Sequence, residues 1–430
     1  MVRKEYEGEF KMADYRELWK SLNMDLAKHD QLCAVLPDMY GSTYLTQENR
    51  PEAMNYFNFV VAEVHGLRIQ ELDAHKKQGG KVLGTFCVFV PDEVILAANA
   101  ISVGLCAGSQ FWVPDGEKVL PKNMCPLIKA AVGAKVGGTC PYIQSCDMVV
   151  GETTCDGKKK AWEILEEYVP VHVMDIPQMK RTKDYTMWMG EIKLFIEKVE
   201  ELTGNKVTVE SLKKGIEVVN NKRRALKRLY DFRKFTPSPI SGLDALLISQ
   251  IAFYDDPKRF TAQVNLLCDE LQERVKTSKA EGKKRIMITG TPMALPNWKL
   301  HQIIENLSAE VVVEETCTGT KYFENEVSLE GETIEDMIKN LADRYLSINC
   351  ACFTPNDGRI DDLLKYAKEY NIDGVIHSNL SFCHTYAIEY KKVAEELKKA
   401  GIPIINIETD YSTEDSGQIK TRVEAFLEMI

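Results

Sequence analysis

The 430-residue sequence has no C-x-x-C pair, no G-x-x-x-x-G-K-[ST] loop, no apolar leader and no surplus of basic residues. Each absence removes a class of protein. Zinc ribbons and similar structural zinc folds need the paired C-x-x-C spacing. A P-loop NTPase needs the glycine-rich phosphate cradle, so no nucleotide hydrolysis is expected of this chain. The start, MVRKEYEGEFKMADYREL, lacks an apolar h-region, and no secretory signal is expected. The longest mostly apolar run, Val94 to Gly108, is broken by Asn99 and Ser102 and is too short to span a bilayer. With 54 Lys+Arg against 64 Asp+Glu, the formal charge of -10 disfavours nucleic-acid binding. These readings leave a soluble, cytoplasmic, globular protein of two or three domains, with core enough to fold without disulfides.

What the chain has in abundance is cysteine. Twelve are present, in a chain whose expected compartment keeps thiols reduced. They are then buried hydrophobes, nucleophiles or metal ligands.

Four segments can be separated. Residues 1–75 form a largely helical N-terminal extension, with helical patterning over Tyr15–Leu26 and a mixed segment around Asn55–Arg68. Residues 76–180 alternate strands (Lys81–Phe86, Ala100–Leu105, Met148–Gly151, Val171–Asp175) with helices (Pro91–Ala98, Pro126–Val132, Lys158–Tyr168). Residues 181–282 are a helical connecting segment, with one helix over Trp188–Leu202 and another running through Asn221–Phe232. Its basic run KRRALKRLYDFRK reads as a solvated helical face with Leu226, Leu229 and Phe232 buried. Residues 283–430 return to alternation, with strands at Arg285–Thr289, Glu310–Glu314, Gly374–His377 and Ile402–Ile407. The expected fold is α/β: two flavodoxin-like, doubly wound parallel-sheet lobes around a helical middle. A repeated T-C-x-G-x-K, at Cys155 and again at Cys317, leaves internal duplication open.

In doubly wound sheets, ligands sit beyond the carboxyl ends of the strands. Cys87, Cys106, Cys155, Cys317 and Cys383 each follow an expected strand. Cys125 precedes a helix, and Cys350 and Cys352 precede Thr354-Pro-Asn-Asp. Cys33 and Cys268 read as core. Thiolates at helix N-termini have their charge favoured, and soft thiolates without histidine partners select iron–sulfur clusters.

The motifs Gly84-Thr-Phe-Cys87-Val-Phe-Val-Pro-Asp-Glu93, Leu120-Pro-Lys-Asn-Met-Cys125-Pro, Cys140-Pro-Tyr142 and Glu152-Thr-Thr-Cys155-Asp-Gly resemble the 2-hydroxyacyl-CoA dehydratase component D family. Glu315-Thr-Cys317-Thr-Gly319, Cys350-Ala-Cys352-Phe-Thr-Pro-Asn356, Cys383-His-Thr-Tyr386 and Ile407-Glu-Thr-Asp-Tyr411 are similar to its double-cubane cluster protein branch. The resemblance runs from about residue 80 to the C-terminus. It implies a homodimer whose subunits each hold an 8Fe-9S double cubane, three cysteines to each cubane, charged by a separate ATP-hydrolysing iron–sulfur activator. The six ligands it implies are Cys87, Cys125, Cys155, Cys317, Cys352 and Cys383, with Cys106 and Cys350 next in line. The choice between Cys350 and Cys352 stays open.

His384 and Tyr386 are candidate proton donors to a substrate reduced at the cluster, or else partners of its sulfur. Glu152 is a candidate carboxylate near the cluster, or one half of an ion pair. Lys158, Lys159 and Lys160 face an anionic substrate, a partner or solvent. Ser412-Thr-Glu-Asp415 reads as a helix N-cap without a catalytic role. The expected function is an oxidoreductase that reduces a small molecule with low-potential electrons. The alternatives are a dehydratase component with one 4Fe-4S cluster and ketyl chemistry, and an iron–sulfur electron carrier that turns nothing over.

Overall fold

The structure, a computed structural model, describes residues 15–277 and 282–430. Eight short apolar stretches bounded by turn residues become strands: β1 (Val82–Thr85), β2 (Ile101–Gly104), β3 (Met148–Glu152), β4 (Val171–Met174), β5 (Lys284–Gly290), β6 (Ala309–Glu315), β7 (Gly374–Leu380) and β8 (Ile404–Thr409). They form two parallel sheets, ordered β2-β1-β3-β4 and β6-β5-β7-β8. β3 and β7 are buried along their whole length. With helices on both faces such strands lose the inside-out alternation, and β7 buries His377, Ser378 and Asn379 along with its apolar residues. These are two flavodoxin-like lobes, and in each the order reverses between the first and third strands.

The two copies of T-C-x-G-x-K do not fall on equivalent strands. Cys155 follows β3, the third strand of its sheet, whereas Cys317 follows β6, the counterpart of β2. Equivalent places in the two lobes pair Cys106 with Cys317 and Cys155 with Cys383. The topology repeats, but the short motif is not a trace of that repetition.

The middle of the chain is four helices: Thr182–Thr203, Val209–Phe232, Gly242–Ile251 and Pro257–Thr277. Gly204, at φ 72°, stops the first, and Thr208 with Ser211 forms a capping box on the second. The basic run on that second helix is not simply solvated. Leu226 and Leu229 are buried and Phe232 is half-buried, but Lys222, Arg223 and Arg233 are buried too. Arg223 pairs with Glu93 of the first lobe at 2.8 Å, and Tyr345 of the second lobe donates to the same carboxylate at 2.7 Å. Arg233 makes a bidentate pair with Glu314 on β6, at 2.6 and 2.8 Å. The helix bridges both lobes, and charges expected in water are paired with carboxylates distant in sequence.

Toward the N-terminus, helicity over Tyr15–Leu26 is interrupted. Asn23 adopts φ 56°, and Asp25 caps a new helix, Leu26–Tyr40, by accepting from the Lys28 amide at 3.1 Å. Helices Met54–Ala62 and Leu67–Lys77 follow. This layer is tied to the middle by Arg50 on the buried Asp244 at 2.6 Å and by the Tyr44 hydroxyl on the Leu243 carbonyl. Among the described residues, no helix is long and apolar enough to cross a membrane.

Candidate metal centre

The carboxyl ends of both sheets open onto one cavity of about 850 Å³. Its wall includes all eight loop cysteines named above, and Cys140 as a ninth. Local structure explains their placement. Cys87, Cys106 and Cys317 lie just beyond β1, β2 and β6. Cys125, Cys140, Cys155 and Cys383 each stand at the N-cap of a helix. There the Cys155 sulfur accepts the Lys158 amide at 3.4 Å. Amides and the helix dipole favour a thiolate at such positions. All twelve cysteines are free.

The cysteines fall into two neighbourhoods, and each draws on both lobes. Cys87 is pushed up in pKa first by its hydrogen bond to Cys317 and then by burial. Cys352 is pushed up by the neighbouring Cys350, by burial, and by the charges of Cys87 and Cys317. Cys125 is raised to about 12 by burial, with Cys383 and Cys155 adding to it. Cys87, Cys317 and Cys352 thus lie near one another, with Cys350 alongside, as do Cys125, Cys155 and Cys383; Cys350 stands between the two, since it also adds to the upward shift of Cys383. Cys106 donates its thiol proton to the Phe86 carbonyl at 2.8 Å. Cys268 is fully buried in a helix away from the cavity, while Cys33, expected in the core, is only half-buried.

Buried cations flank the thiols. Lys158, expected at the surface, is buried against Glu152, and the charge of that carboxylate holds its ammonium against desolvation. Glu152 itself does not line the cavity; its partner does. Lys159 and Lys160 remain exposed, paired with Asp156 and Glu163. In the second lobe Lys321 bonds Glu315 at 2.7 Å and donates to the Tyr386 hydroxyl at 3.0 Å. Tyr386 is buried, with its oxygen 3.9 Å from the Cys350 sulfur. Arg359 completes this network on Glu315 at 3.1 Å. His384 is exposed and lines the cavity from the first position of its helix. Asp415 precedes helix Ser416–Met429, but its carboxylate takes Lys299 and Thr409 instead of capping amides.

Lys321, Arg359 and Tyr411 were not singled out in the sequence. The only signal was that Tyr411 and Lys321 lie inside or beside the quoted motifs. Tyr411 is buried with a hydroxyl that has no hydrogen-bond partner among the described residues, and Cys125, Cys106 and Cys383 lie near enough to raise its pKa further beyond the effect of burial. A cavity wall of nine thiols, with the ammonium of Lys158 among them and that of Lys321 behind Tyr386, suits a sulfide-rich, anionic group.

The sequence profile of the family described as 2-hydroxyglutaryl-CoA dehydratase, D-component, matches residues 87–430. The chain belongs to this family. A protein of Escherichia coli (strain K12), YjiM, named provisionally as a dehydratase subunit, is 40% identical over 83% of this chain and 93% of its own. The (R)-phenyllactyl-CoA dehydratase beta subunit of Clostridium sporogenes is 26% identical over 83% and 94%. A benzoyl-CoA reductase subunit from Thauera aromatica is 24% identical over 79% and 87%. This D-component chain is thus similar to dehydratase and reductase subunits alike, and the matched segment contains every cysteine of the cavity wall.

Proposed function

We propose that the chain is the substrate-reducing component of a two-part, ATP-dependent system, and that its cavity holds an 8Fe-9S double cubane. The observation that carries this reading is the number and grouping of the cysteines: one cubane takes four thiolates at most, and nine line a single cavity. Cys87, Cys317 and Cys352 would hold one cubane, and Cys125, Cys155 and Cys383 the other. Cys106 and Cys350 stand in reserve, the first engaged with a carbonyl and the second with Cys352 and Tyr386. On this reading the lobes of residues 76–180 and 283–430 each contribute three ligands, and residues 1–75 and 181–282 frame them.

When bound, the group supplies low-potential electrons at irons that lack a full set of protein thiolates. The chain's own residues provide the rest. Lys158 and Lys321 offset negative charge in a buried setting. Tyr386 holds a phenolic proton at the cavity wall, kept oriented by Lys321, and His384 at the exposed rim exchanges protons with solvent. Glu152 is a positioning residue that fixes Lys158. The chain carries no phosphate-cradling loop, so a separate ATP-hydrolysing activator supplies the electrons; the working unit is a homodimer and the substrate a small molecule.

Anaerobic purification with iron and sulfide analysis tests this. About eight irons per chain is expected; a colourless protein holding zinc and no iron would overturn it. A second reading, a 2-hydroxyacyl-CoA dehydratase component with one 4Fe-4S cluster, is favoured by the names of the relatives in Escherichia coli and Clostridium sporogenes. About four irons per chain, with dehydration of a 2-hydroxyacyl-CoA, would establish that reading instead.

A further inference from the structure

Ahead of the family match, in the N-terminal helical layer, His29, Cys33 and His65 bring three ligand atoms within 4.8 Å of one another. His29 and Cys33 lie four residues apart on helix Leu26–Tyr40 and share a face. His65 sits in the turn before helix Leu67–Lys77. The His29 Nε2 and His65 Nδ1 atoms are 2.9 Å apart, and the Cys33 sulfur is 3.6 Å from His29 Nε2. Trp19 packs edge-on against the His29 ring at 4.3 Å and donates its indole N–H to the His65 backbone carbonyl at 2.7 Å, which holds the turn that carries His65.

We propose that His29 Nε2, His65 Nδ1 and Cys33 Sγ form a mononuclear site for a divalent zinc-type ion. Two imidazoles and one thiolate suit a borderline-soft metal and exclude calcium or magnesium. Around a tetrahedral zinc, two nitrogens stand about 3.3 Å apart and a nitrogen and a sulfur about 3.6 Å, from the usual bond lengths. The two rings need part by only a few tenths of an ångström. The Cys33 sulfur is nearly equidistant from the two His29 ring nitrogens, 3.6 Å from Nε2 and 3.8 Å from Nδ1, so loading also turns the Cys33 side chain toward the Nε2 side. A metal binds neutral imidazoles and a thiolate, so loading is coupled to loss of the Cys33 proton. On loading, the proton shared between the rings moves to an outer ring nitrogen and Cys33 releases its proton to solvent, one per ion bound. Three protein ligands leave a fourth position for water. The site would clamp the helix Leu26–Tyr40 to the turn at His65, which itself lines the edge of the cysteine cavity. It is independent of what the cavity holds.

The test is metal analysis of the full chain, purified anaerobically with its cavity loaded and dialysed against micromolar zinc. About one tightly held zinc per chain is expected, with an X-ray absorption edge reporting two nitrogens and one sulfur. His29→Gln and Cys33→Ser should each lower retained zinc at least tenfold, while Cys268→Ala keeps it. Wild-type protein that retains no zinc overturns the site. So does zinc in an all-sulfur shell, a readout that needs no variant to fold. Zinc that persists undiminished in both folded variants overturns it as well.

Discussion

Replacing Arg233 by methionine strands Glu314. Both side chains are fully buried, and the guanidinium supplies two of the carboxylate's hydrogen bonds and its main counter-charge. Despite burial, Arg233 and then His301 hold the Glu314 carboxyl well below its ordinary value of 4.5. Breaking a buried pair by removing one partner costs about 3–5 kcal/mol. Tyr230 still donates at 2.6 Å and His301 still lies at 2.9 Å, so the expected loss is about 3 kcal/mol, the low end of that range.

The sign of the pH dependence follows. With a depressed folded pKa, Glu314 contributes stability that is complete above its unfolded value and lost as pH falls through the acid range. Without Arg233 its folded pKa rises with burial, and the folded variant takes up a proton more readily than the unfolded chain. The penalty should therefore be larger at pH 7.5 than at pH 5. Urea unfolding followed by far-ultraviolet circular dichroism at both pH values measures it. Arg233→Met/Glu314→Gln should recover about half of the loss, because no buried charge is left unpaired. A penalty of about 1 kcal/mol or less at pH 7.5, or one independent of pH, would refute the reasoning.

On the proposed reading, Cys155→Ala and Cys317→Ala should each lower anaerobic iron content, although they belong to different neighbourhoods; unchanged iron and spectrum in either variant counts against the ligand set. Gly290 adopts φ 124°, and a Cβ there would lie 2.1 Å from the Ser378 carbonyl oxygen, so Gly290→Ala should cost about 2 kcal/mol or more in urea unfolding. By contrast, Gly190 sits exposed in helix Thr182–Thr203 with nothing within 4 Å, and Gly190→Ala should stabilise by up to about 1 kcal/mol in the same assay. The chain alone should hydrolyse no ATP, and its turnover should depend on ATP once an activator is added; full turnover with a chemical reductant, unchanged by activator and ATP, would refute the gated electron supply.

The eight strands were legible because each is a short apolar run between turn residues, a signal carried within a few neighbours. The cysteines were legible for the same reason: a thiol just past such a run lies at a strand's carboxyl end. Pairings across the chain were not. Nothing near Arg233 in sequence indicates Glu314, and nothing near Arg223 indicates Glu93, so a run of cations read as a wetted face. Lys158 misled in the same way, because its burial depends on β3 presenting Glu152 inward. The break at Asn23 was missed because apolar spacing continues through it while the backbone turns left-handed. His29, Cys33 and His65 offered no standard spacing, since the third member joins only through packing.

The grouping of the cavity's cysteines gives the bridging helix Val209–Phe232 its significance. Three of the six proposed ligands come from each lobe, yet neither neighbourhood belongs to one lobe: Cys87 meets Cys317 and Cys352, and Cys383 meets Cys125 and Cys155. Any slide of one lobe against the other would therefore pull both sets apart at once. Ligand sets tolerate little of this, since metal–sulfur bonds hold within about 0.2 Å. The register between lobes must come from a stiff, well-anchored element. Arg223 and Glu93, with Tyr345 reaching the same carboxylate, join the helix to one lobe and the other through a single buried point, and Arg233 fixes it again to β6, the strand that delivers Cys317. The charges of the basic run thus serve the cavity without touching it.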